Sequence, residues 1–179
     1  MTDKDIQYKL AFVSKSAVLI ISGILTSLLF YWLQNLSKVP AGGPGIINLQ
    51  LAFSLHHFNE ILQAWGPDAV RQFQHTMWID YFYAVAYGIF LSGVLFSIGS
   101  RLQIRPKRLP FFAWLPLVAS LLDWAENTIH LILLREGAND AGVLLASVIA
   151  SVKWWLLIQS VLLIMIGLSV LLLKKKIKI

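Results

Sequence analysis

Four apolar runs decide what this chain can fold into, because each is long enough to cross a hydrocarbon layer of about 30 Å as a helix of roughly 20 residues. Residues 16–33 (SAVLIISGILTSLLFYWL) carry no charge, and residues 78–98 (WIDYFYAVAYGIFLSGVLFSI) carry one acid, Asp80, near the start. Residues 109–134 are apolar apart from a polar stripe, and residues 141–173 are apolar apart from Lys153, Gln159 and some hydroxyls. At 1.5 Å per residue the fourth run is about 50 Å long as one helix, so it must tilt, kink or overhang the membrane. The chain is 58% apolar and only 13% charged, against about 25% charge in a soluble domain, and its mean hydropathy is +0.70. The expected fold is all-α: a single-domain polytopic membrane protein with four transmembrane helices, at about 14–36, 68–100, 109–135 and 141–173, in an antiparallel bundle. The absence of cysteine excludes disulfides, thiolate metal sites, Fe–S clusters and cysteine nucleophiles. No internal repeat at a period of 20 to 50 residues points to a solenoid or propeller.

Lys4, Lys9 and Lys15 precede the first run as they would in a signal peptide. The run exceeds the usual 7–15 residues, however, and lacks a following A-x-A site, which predicts an uncleaved helix. Orientation follows from the basic residues of the short connections. Lys4, Lys9 and Lys15, then Arg101, Arg105, Lys107 and Arg108, then Lys174, Lys175, Lys176 and Lys178 fall on one side, 11 of the 15 Lys and Arg residues. That side is assigned to the cytoplasm, which places both termini there and the chain in the cell (inner) membrane. The other side has Lys38, Arg71 and Arg135 beside Glu60, Asp68, Glu136 and Asp140. This asymmetry accounts for the net charge of +6 without a nucleic-acid partner, and no basic stripe suited to one is present. The KKKIKI tail reads as a stop-transfer anchor beside anionic head groups.

The one sizeable connection, residues 37–77, opens with the turn KVPAGGPG. Leu51, Leu55, Phe58, Leu62 and Trp65 then recur at steps of four and three, which makes one face of a helix at about 48–65 apolar. The rest of its surface is polar, so it is expected to lie in the interface as an outer cap. Gly66-Pro67-Asp68 stops it and starts the next helix, which runs through Arg71 and His75 into the second span.

Chemistry, if this chain performs any, belongs to polar residues at membrane depth. Asp123, Glu126, Asn127 and His130 stand at i, i+3, i+4 and i+7, on one helical stripe. A carboxylate at mid-bilayer costs at least about 2.5–3.5 kcal/mol on insertion scales, so two on one face must point inward. Asp80, Tyr83 and Tyr87, at i, i+3 and i+7, form a matching stripe at similar depth on the second span. Two placements of Lys153 stay open. Folding the last two spans about residue 138 sets Lys153 opposite Asp123 and leaves Glu126 less neutralised. Counting back 20 residues from Leu173 instead puts Trp154 and Trp155 in an aromatic belt with Lys153 snorkelling.

Three functions fit this pattern. An interhelical hydrogen-bond network would lock the bundle or bind an amphipathic, lipid-like ligand through Tyr83, Tyr87, Asn127 and Lys153. Alternatively, Asp80 and Glu126 would handle protons, oriented by Asp123, Asn127 and His130, on a lipid or isoprenoid, since carboxyls, an imidazole and phenols in a low-dielectric pocket are the raw material of general acid–base catalysis. The third is proton or ion conduction, which a narrow four-helix bundle could support only as a homo-oligomer. His56, His57 and Glu60 form H-H-x-x-E, yet neither H-E-x-x-H nor H-x-x-E-H is present, and no metal is expected. Only His130 suits haem ligation, and P-loop and dinucleotide fingerprints are missing, so no cofactor is expected. Trp and Tyr near helix ends read as bilayer anchors, and Ala84, Ala86, Gly88, Gly93 and Gly99 as sites of close helix contact.

The combination W-I-D-Y-F-Y-A-V-A-Y-G (78–88) and L-L-D-W-A-E-N (121–127) resembles a pattern in small, uncharacterised bacterial four-helix membrane proteins. The resemblance covers under half of the chain. It implies the architecture and highlights Asp80, Asp123, Glu126 and Asn127 without assigning them a role.

Overall fold

The computed structural model describes residues 11–36, 43–104 and 109–177. Lys4, Lys9, Arg105, Lys107, Arg108, Lys178 and residues 38–42 of the expected turn, Lys38 among them, lie outside the described residues. Five helices are described in full: α1 (Ser16–Leu36), α2 (Ile46–Gln50), α3 (Leu55–Arg101), α4 (Leu109–Glu136) and α5 (Asp140–Ile177). Strands are absent among the described residues. α1, α3, α4 and α5 are each long and apolar enough to cross a membrane; α1, α4 and α5 start and end within a few residues of expectation, whereas α3 begins at Leu55 rather than about 68 because it includes the segment before the interruption at Gly66.

The continuous helix expected at 48–65 is instead broken. α2 ends at Gln50, and Phe53 adopts φ 56°, the left-handed region that non-glycine residues seldom enter. That turn is held from α5: Ser147 Oγ accepts the Phe53 N–H at 3.0 Å, and Asp140 Oδ1 accepts the Leu55 N–H at 3.2 Å. Ser54 then starts α3, its Oγ accepting the His57 N–H at 3.3 Å, as an N-cap serine does three residues ahead. A second interruption falls where Gly66-Pro67 predicts it. Gly66 has φ 75° and ψ 169°, a conformation open essentially to glycine alone.

The α4–α5 connection is equally local in origin. Gly137 takes φ 104° just past the end of α4, where a residue without Cβ ends a helix at least cost. Asn139 Oδ1 accepts the Gly142 N–H at 2.9 Å and so caps α5.

The chain divides into two compact units. One comprises Met1–Thr26, Val85–Ser120 and Trp154–Ile179. Small residues set its packing: a Cβ on Gly88 would stand 2.8 Å from Ser120 Cβ, and one on Gly93 would collide with the Val13 carbonyl, so the glycines permit the close helix contact expected of them. The other unit comprises Ser27–Ala84 and Leu121–Lys153. Its core gathers Leu49, Phe58, Ile61, Trp65, Phe73 and Met77 with Leu131, Leu133 and Val143. The apolar face read from Leu55, Phe58, Leu62 and Trp65 is thus the face that packs, and Trp65 Nε1 also donates to the Pro44 carbonyl at 2.6 Å.

Candidate functional site

The second unit holds all but one of the site residues expected from the sequence. The exception is Tyr87, two turns beyond Asp80 on α3, which is buried and belongs to the first unit. Helical spacing places Asp123, Glu126, Asn127 and His130 along one stripe of α4, and all four are buried, Glu126 completely. α5 contributes Lys153, which is 2% exposed.

Lys153 Nζ lies 3.0 Å from Asp123 Oδ1 and 2.6 Å from Glu126 Oε2. Snorkelling is therefore not what this side chain does. The expectation that pairing with Asp123 would leave Glu126 less neutralised is also overturned, because one ammonium serves both carboxylates and stands closer to Glu126. The two are three residues apart on α4, nearly one turn, so a single cation placed against that face can reach both.

Glu126 is nevertheless poorly satisfied. Oε2 faces the Lys153 ammonium at 2.6 Å, but Oε1 is buried without a hydrogen-bond partner. Oε1 is 3.9 Å from His130 Nδ1. That nitrogen is engaged elsewhere, 3.2 Å from the Glu126 carbonyl oxygen, to which it can donate as Nδ1–H. The imidazole is boxed by aromatics: Phe58 stacks on it at 6.1 Å between ring centroids and 16° between planes, and Phe73 meets it edge-on at 6.4 Å.

Asp80 joins the cluster through an uncharged partner. Asn127 Nδ2 donates to Asp80 Oδ2 at 2.8 Å, so the two acids expected to act as a direct pair, Asp80 and Glu126, are linked through the neighbouring asparagine. Asp80 is partly exposed, as is Tyr83 one turn further along α3. The Tyr83 ring lies 6.2 Å from that of Phe30 on α1.

Three further residues tie α3 to α4 and escaped sequence reading. Tyr81 Oη and Thr128 Oγ1 are 2.7 Å apart, Trp124 Nε1 donates to the Tyr81 carbonyl at 2.9 Å, and the Trp124 and Tyr81 rings meet edge-on at 5.4 Å. Tyr81 and Thr128 each sit one position beyond Asp80 and Asn127. Once the latter pair is placed, the former follows, but nothing in the sequence alone marks it.

His56 Nε2 and His57 Nδ1 lie 3.3 and 3.4 Å from the two Glu60 oxygens, on an exposed face. Among the described residues no three metal-ligating side chains converge. Comparison with family models, with curated proteins and with solved structures finds no match for this chain.

Proposed function

We propose that this chain is a multi-pass integral membrane protein of the cell (inner) membrane, and that its polar cluster binds the head group of an amphipathic, lipid-like ligand. In this reading α1, α3, α4 and α5 form an antiparallel bundle with both termini cytoplasmic, and residues 55–65 cap the outer end. Antiparallel pairing of α3 and α4 is supported by the contacts Phe73–His130, Asp80–Asn127 and Tyr81–Trp124, in which one partner's number rises as the other's falls. A membrane is the solvent that suits the exposed Ile20, Ile21 and Leu28 of α1 and Trp155, Met165 and Ile166 of α5.

One observation carries the ligand-binding role: Asp123, Glu126 and Lys153 are almost fully buried on helices apolar enough to span a bilayer. Buried ion pairs contribute little net stability compared with apolar packing. Ionisable side chains at membrane depth are rare and costly, and those that persist line substrate, ion or proton pathways by default. Mass spectrometry of lipid extracted from the purified protein tests this. An amphiphile enriched over bulk lipid with the unmodified chain, and depleted with Asn127→Leu, is the expected result; identical extracts contradict the proposal. Because the chain has no native cysteine, Asn59→Cys and Lys174→Cys provide single labels for topology. An impermeant maleimide applied to intact cells should modify the first and spare the second.

A second reading, acid–base chemistry on the same ligand, is favoured by the donor-free Glu126 Oε1. Glu126→Gln separates the two: a catalyst loses turnover while its bound amphiphile persists.

A further inference from the structure

The charge inventory of the cluster names a ligand class, and we propose that the amphiphile bound there carries an alkylammonium head group. The inference rests on the ligand-binding reading above. Three carboxyl groups, Asp80, Asp123 and Glu126, face one buried cation, Lys153. Arg71 and Arg135, the other described cationic side chains of this unit, are exposed, and the His130 Nδ1 is occupied by a backbone carbonyl.

Lys153 is fully used by Asp123 and Glu126. Asp80 receives an amide hydrogen from Asn127, which orients the carboxylate without neutralising it. Glu126, 0% exposed, keeps Oε1 without any donor. A buried acidic group left uncompensated is costly, and at Asp80 a head group with positive charge and N–H donors supplies the counter-charge that Asn127 does not. Head groups whose only ionised group is a phosphate or carboxylate would add to the repulsion, and a neutral hydroxyl would supply no counter-charge.

Access follows from exposure. Asp123, Glu126 and Asn127 are buried, whereas Asp80 is the acid of the cluster that is partly exposed. It lies between Trp78 and Tyr81, residue types that sit at head-group level, so an ammonium docked on Asp80 leaves its tail in the bilayer. Tyr83 and Phe30, 6.2 Å apart, offer the aromatic surface that favours a cation near it. The same chemistry is carried by an ethanolamine phospholipid and by a free long-chain amine.

The test uses the full chain in a neutral detergent near pH 7 and measures saturable binding of tritiated dodecylamine and tritiated dodecanol. Unlabelled dodecyl phosphate and phosphatidylethanolamine serve as competitors. Dodecylamine should bind roughly tenfold or more tightly than dodecanol, and Asp80→Asn, which can still accept from Asn127, should remove most of that preference. Dodecyl phosphate should not displace the amine. Displacement by phosphatidylethanolamine assigns the ammonium to a membrane lipid, and its failure to displace assigns it to a free amine. Dodecanol binding as tightly as dodecylamine, or an amine preference unchanged in Asp80→Asn, overturns the cationic class while leaving the lipid-like ligand standing. Saturable binding of neither probe overturns both.

Discussion

Replacing Lys153 by Met removes the ammonium while keeping an unbranched side chain of similar length. In the native structure Nζ stands 3.0 Å from Asp123 and 2.6 Å from Glu126, and the three side chains are between 0% and 6% exposed. At an effective dielectric constant of about 20 the two contacts correspond to about 5.5 and 6.4 kcal/mol of Coulomb attraction, most of it offset by the desolvation of three charges. Removing one partner lacks that compensation. Breaking a buried pair by a single substitution typically costs about 3–5 kcal/mol, and here two carboxylates are stranded by one change. On the soluble-protein scale of roughly 2–4 °C per kcal/mol for a chain of this size, the melting temperature should fall by roughly 6–20 °C. Thermal unfolding in a neutral detergent, followed by circular dichroism, measures it. The triple variant Lys153→Met, Asp123→Asn, Glu126→Gln should recover most of the loss, because replacing a whole buried pair by uncharged groups is close to neutral. A single variant that melts within about 2 °C of the parent would refute the reasoning, since Lys153 would then be solvated in the membrane rather than clamped between two acids.

Three further outcomes are expected. Phe58→Ala should destabilise by about 3–5 kcal/mol through the cavity it leaves, and it should speed modification of His130 by diethyl pyrocarbonate, read by mass spectrometry; an unchanged rate would mean that the phenyl ring does not shield the imidazole. Gly66→Ala meets no steric neighbour within 4 Å, so its cost is conformational alone, about 1–3 kcal/mol for a backbone region reserved for glycine. Denaturant titration that finds Gly66→Ala neutral would show that the break can relax into continuous helix. Tyr81→Phe removes one interhelical hydrogen bond to Thr128 and should cost about 0.6 kcal/mol, with an upper range near 1.7, and Thr128→Val should add little to it in a double-mutant cycle.

Much of this protein is local, and for that reason the amino-acid order determines it. A run of 18 or more apolar residues has few alternatives to a membrane-length helix, so α1, α4, α5 and the part of α3 beyond Gly66 are readable within a few residues. The 3.6-residue period alone puts Asp123, Glu126, Asn127 and His130 on one stripe, and Gly66-Pro67 marks its interruption without help from elsewhere. Tertiary structure decided what depends on register. A slip of one turn moves a side chain 5.4 Å along its neighbour, enough to exchange Asp123 for Glu126 as the partner of Lys153, and the fold resolves the choice by giving the ammonium to both. The turn at 51–54 is imposed by Ser147 and Asp140, 94 and 85 residues distant, against a periodicity that reads as unbroken helix. The Tyr81–Thr128 and Trp124–Tyr81 links likewise exist because α3 and α4 lie at one particular offset. Helix periodicity is a property of a few neighbouring residues, whereas the offset between two helices is settled only when every contact along their length is made at once.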